Sequence, residues 1–162
     1  MGLSHINPIM KKGSTLFLKF VLLLIVVAAL AGLIWFPQTE GRAAHLDLLK
    51  IYTDPLIIYI YIGSIPFFAG VYQAFKLLKL TDANKAFSQA AVSTLRNMKI
   101  ASIILICFIS VAVGYIHFFA HGDDPAGPTM LGILVIFADS VIATAAALFQ
   151  KLLQNAVDIK AE

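Results

Sequence analysis

Four long apolar stretches, at 16–36, 55–75, 100–120 and 129–150, constrain what this chain can fold into more than any other feature. Each holds about 21 residues. At a rise of about 1.5 Å per residue, a helix of that length crosses the roughly 30 Å of hydrocarbon in a bilayer. In lipid an open chain satisfies every backbone N–H and C=O only as a helix. Composition agrees. Of the 162 residues, 60% are hydrophobic and 13% are charged, against about 45–50% and about 25% in a soluble domain. A body this small exposes too much surface to hide the excess from water. The expectation is an all-α integral membrane four-helix bundle, one domain over 10–162, behind a flexible extension at 1–9. Lys11 and Lys12 with Ala29-Leu30-Ala31 imitate a signal peptide. The apolar run continues to Trp35 and Phe36, which favours an uncleaved anchor. Met10, just before the lysine pair, competes with Met1 as the native start.

The connectors set an orientation. Lys11, Lys12, Lys19, Lys76, Lys79, Lys85, Arg96, Lys99, Lys151 and Lys160 flank alternate ends of the spans, and only Arg42 and Lys50 fall on the other side. Lys and Arg near the spans remain in the cytoplasm. Both termini and the 76–99 loop are therefore expected inside, with helical extensions on that face. Ser88 is placed to cap a helix running into the third span. Residues 151–162 continue the fourth span as an amphipathic tail. Trp35, Tyr52 and Tyr115 fall near the outer boundary, where interfacial aromatics belong. The net charge of +3 is spread over span ends, which argues against direct nucleic-acid binding. The single cysteine, Cys107, excludes an intrachain disulfide or a cysteine metal cluster.

Asp139 is the most informative single residue, an acid placed about mid-bilayer by counting in from the outer end of its span. A central Asp costs roughly 2.5–3.5 kcal/mol, offset by ten Leu, Ile, Val and Phe residues in the same span at about 0.3–0.6 kcal/mol each. At 100° per residue, Asp139 shares a stripe with Gly132, Ala143, Ala146 and Gln150. Similar stripes run through Tyr59, Gly63, Pro66, Gly70 and Gln73 in the second span, and through Cys107, Ser110, Gly114, His117 and His121 in the third. Depth matching then predicts that Asp139 bonds to Ser110 or Ser64, and that His117 lies too far outward to reach it. Asp139, Ser110, Ser64, Gln73 and Gln150 are the intramembrane polar candidates. His117, His121, Asp123 and Asp124 gather near the outer mouth. Two His residues at i and i+4 suit a metal, but no third or fourth ligand is specified, so solvated interfacial residues are the expectation. Lys85, Arg96, Lys99, Gln154, Asn155 and Asp158 are the candidates for docking on the cytoplasmic side. No nucleophile motif, phosphate loop or dinucleotide fingerprint is present. No enzyme activity, cofactor or metal is expected.

Several segments carry a family resemblance: 11–19 entering the first span, 72–78 leaving the second, Asn84-Lys85-Ala86-Phe87-Ser88 before the third, and Gly132-Ile133-Leu134-Val135-Ile136-Phe137-Ala138 in the fourth. The tail Gln150-Lys151-Leu152-Leu153-Gln154-Asn155-Ala156-Val157-Asp158-Ile159-Lys160 is the most specific of them. Together they resemble the bacterial YoaS-like membrane proteins, domain of unknown function 2975. Asp139 departs from that pattern, where a small or hydroxyl residue is expected. The resemblance implies a multi-pass protein of the bacterial cytoplasmic membrane without established activity. It also implies a gene neighbour encoding a small helix-turn-helix regulator, and hence a regulatory role with a cytoplasmic partner. The alternative is a small oligomeric transporter or channel subunit that uses Asp139. Lipid and a possible second copy of the chain are the other expected partners. An intramembrane enzyme would need His117 and Asp139 within hydrogen-bond reach, which their depths oppose.

Overall fold

The computed structural model describes residues 3–39, 47–119 and 124–161. All regular structure among them is helical: α1 (Leu3–Thr39), α2 (Leu48–Tyr52), α3 (Pro55–Asp82), α4 (Gln89–Phe119) and α5 (Ala126–Ala161). The four long helices are each apolar enough to cross a membrane, and they wear their large apolar side chains outward. Leu16, Phe17, Phe118 and Phe137 are 65–72% exposed, the arrangement that lipid permits and water does not.

The helices pack in chain order. α5 lies on α4, α4 on α3, and α1 on α3, and no comparable pairing joins α5 to α1 or to α3 among the described residues. The expected bundle is thus a row, with α4 flanked on both sides. Antiparallel neighbours collect the bases at one end, with Lys19 paired to Asp82 and Gln89 reaching Gln154. That basic end faces away from Asp47, Asp54 and Asp124.

The connections have local causes. Asp54 caps α3 by accepting the Leu56 N–H at 2.9 Å, with Pro55 in the first turn where its missing N–H does no harm. α3 ends in a Schellman turn, in which Lys85 N–H donates to Leu80 O and Asn84 N–H to Thr81 O. Asn84 takes the left-handed conformation with φ 59° that this turn requires. Ser88 then caps α4 by accepting the Ala91 N–H. The short helix α2 is an addition to the sequence reading. It touches both α1 and α3, and its Ile51 is buried, as is Ile57 of α3.

Two boundaries add to the expectation. Residues 3–9 are helical and continue into α1. Once the apolar span nucleates a helix, adding residues to its end is easy. α5 begins at Ala126 and takes Pro128 into its first turn, where proline is tolerated, so Gly127 and Pro128 lie inside the helix rather than in the loop.

Candidate functional site

The α4–α5 contact places Asp139. Gly132 faces Val113 and Ile109, and a side chain at Gly132 would fall on the Val113 Cγ2 methyl. Further along, the Ser102 hydroxyl lies beside the Asp139 carboxyl, and both residues are buried. Further still, Gln89 Nε2 donates to Gln154 Oε1 at 3.4 Å. These three contacts share one antiparallel register. Asp139 is 7% exposed and its Oδ2 is buried without a hydrogen-bond partner among the described residues.

This register corrects the expected pairing. Ser110 lies two turns away from Ser102 and is exposed, so it does not meet Asp139. Ser64 donates to its own helix, at Tyr61 O, over 2.6 Å. Ser102 is the third residue of the α4 apolar run and Asp139 the eleventh of the α5 run, so the two runs are offset along the seam. Counting from the ends of the apolar runs failed because it took them as level.

Of the three interior stripes, those on α3 and α5 face α4. Tyr59 Oη donates to Phe108 O at 2.7 Å, and a Cβ at Gly63 or Gly70 would rest against Phe108 or Ala101. On α5, Asp139 and Ala146 are buried. The stripe expected on α4 is turned outward instead, with Cys107, Ser110 and His117 exposed. α4 meets its neighbours through Leu95, Ala101, Ser102, Phe108, Ile109 and Val113. A thiol behaves as a small apolar group and is at ease against lipid, so polarity alone misassigned that face.

At the end opposite the lysines, Asp124 Oδ1 accepts the Ala126 N–H at 3.1 Å, which starts α5. His117 is exposed, with its ring edge-on to Phe118 at 5.2 Å. His121 and Asp123 lie outside the described residues, and among the described residues no three metal-ligating side chains gather. The Oε1 atoms of Gln73 and Gln150 are buried without hydrogen-bond partners among the described residues.

The basic end is the best-sealed part of the molecule. Ala91, Val92, Thr94 and Leu95 are 0–4% exposed. They lie on α4 beyond Lys99, outside the apolar run, where α3 and α5 flank α4. α4 has 31 residues and α5 has 36, about 46 and 54 Å, so both exceed the roughly 30 Å hydrocarbon layer. Each overruns its own apolar run chiefly at this end. There Gln154 Nε2 donates to Asp158 Oδ1 at 2.8 Å, while Lys85, Arg96 and Asn155 are exposed and Lys99 is half-buried. Gln154 points inward to Gln89, contrary to its expected place on the outer face of the tail. Sequence reasoning missed Ser102 and Gln89. Ser102 could have been found from the heptad Leu95–Ser102–Ile109, which complements Gly132–Asp139–Ala146.

Fold and contacts define a four-span, all-helical membrane protein. The chain belongs to the family described as "Protein of unknown function (DUF2975)", matched over residues 37–162. It is 41% identical, over 155 residues, to "Uncharacterized membrane protein YoaS" of Bacillus subtilis (strain 168), covering 94% of this chain and 97% of that relative. No solved structure matches the chain.

Proposed function

We propose that this is a non-enzymatic protein of the bacterial plasma membrane that holds a rigid helical platform in the cytoplasm for a soluble protein partner. Both termini and the 76–99 loop lie inside in this reading. The partner is a helix-turn-helix regulator, the neighbour that the family resemblance implies. The observation that carries the reading is the sealed core at Ala91, Val92, Thr94 and Leu95, on the part of α4 that precedes its own apolar run. A segment serving only to join two spans has no need of so closed a core. A packed core holds Lys85, Arg96, Asn155 and Asp158 in fixed relative positions, as a docking face requires. The test is pulldown of the purified regulator by the detergent-solubilised full chain. Lys85→Glu with Arg96→Glu should abolish retention, whereas His117→Ala at the opposite end should leave it intact. Equal retention by all three proteins would overturn the reading.

One observation favours a transport reading in second place: the Asp139 carboxyl is buried in an apolar helix pair, with Oδ2 unpartnered among the described residues. An ionisable group at such a position is a functional candidate by default. Oligomers would be needed to build a pathway around a site closed between two helices. Proton-linked flux in reconstituted vesicles, lost on Asp139→Asn, would support it. Unchanged flux would leave Asp139 as a packing residue.

A further inference from the structure

Two hollows adjoin one another in the groove between α1 and α3, sharing Lys19 and Phe75. The first, about 630 Å³, is walled by Leu16, Phe17, Phe20 and Leu23 of α1. The second, about 600 Å³, is walled by Tyr72, Lys76 and Lys79 of α3. One half is thus an apolar trough running along a membrane helix. The other is lined by Lys19, Tyr72, Lys76 and Lys79, at the basic end of α3. The groove exists because α1 touches the remaining helices chiefly through α3, and near the far end through α2. Lys19 is paired with Asp82, which leaves the charge of Lys76 and Lys79 in excess on the groove.

We infer that this groove binds an anionic phospholipid, with its phosphodiester among Lys19, Lys76 and Lys79 and one acyl chain along Leu16, Phe20 and Leu23. Only an occupant with a long apolar part and an anionic end complements both halves at once. A free phosphate has nothing to set against the trough. A zwitterionic lipid would place its own cation among the lysines. A basic pocket between membrane helices at the headgroup level is the setting in which anionic head groups are held. The inference is independent of the docking platform, which lies on the α4 and α5 side.

Native mass spectrometry of the full chain, incubated in detergent with equal amounts of phosphatidylglycerol and phosphatidylcholine, tests it. Wild type should retain phosphatidylglycerol at least about fivefold over phosphatidylcholine. Lys76→Gln with Lys79→Gln should lower phosphatidylglycerol retention roughly 25-fold, at about fivefold per lysine near an anionic surface. Lys76→Arg with Lys79→Arg should preserve it. Lys151→Gln with Lys160→Gln removes the same charge from the α5 tail and should leave retention unchanged. Equal retention of the two lipids by wild type would overturn the site. So would an equal loss in the tail variant, since that would report net charge rather than a groove.

Discussion

The α4–α5 and α1–α3 pairs are both antiparallel contacts between apolar helices, yet they are joined differently. α4 and α5 meet along a continuous seam, with Gly132 under Val113, Ser102 on Asp139 and Gln89 on Gln154. α1 is fastened to its neighbours at two separate levels. At one, midway along the helix, Lys19 pairs with Asp82. At the other, Tyr61 Oη donates to Leu33 O at 2.6 Å and Tyr52 Oη to Ile34 O at 2.9 Å. The difference follows from the solvent. Lipid tails compete with apolar side chains on equal terms, so helices associate only where shape fits closely or polar groups bond. The seam uses small residues to bring backbones together. The tethers use long side chains, and they leave a groove between them.

The largest effect that could break this comparison is at the seam. Gly132→Leu must displace Val113 and should cost about 1–3 kcal/mol, read as a lower unfolding midpoint in mixed micelles. Gly32→Leu on α1, where an added Cβ meets nothing within 4 Å, should leave the midpoint unchanged. Equal shifts would mean that the two helix pairs do not differ in closeness of fit. Next, Ser102→Ala removes the hydroxyl beside Asp139 and should cost about 1 kcal/mol, within the range for interhelical polar contacts in lipid. Ser110→Ala, on the exposed face, should cost nothing measurable by the same titration. Tyr61→Phe should be milder, about 0.6 kcal/mol, and should appear as a longer α1–α3 distance between spin labels near Leu33 and Tyr61. Smallest is Lys19→Gln. With the paired side chains 33% and 32% exposed, the ion pair contributes well under about 1 kcal/mol, and high salt should erase the difference between variant and wild type.

Much of this was legible in the residues. Run length and the absence of charge fix the spans, because lipid admits only helices. Ser88 and Asn84 mark the turn between α3 and α4 through their own backbone preferences. The α5 stripe was legible because Gly132, Asp139 and Ala146 contrast with the large side chains around them. The inward face of α4 was not. Flanked on both sides, it presents Leu95, Phe108, Ile109 and Val113, residues that serve equally well against lipid. The register between α4 and α5 was also hidden, since it depends on where a loop of Gly and Pro gives way to helix. The partner of Asp139 was misassigned for that reason. The groove beside α1 could not be foreseen either, because it depends on two helices failing to close over their full length.

Labelling with a membrane-impermeant maleimide, in a Cys107→Ser background, most directly tests whether the basic end faces the cytoplasm. Gln89→Cys and Lys160→Cys should react only after the cells are permeabilised, and Asp124→Cys should react in intact cells. Labelling of Gln89→Cys or Lys160→Cys in intact cells, with Asp124→Cys protected, would invert the protein in the membrane and remove the proposed platform from any cytoplasmic partner.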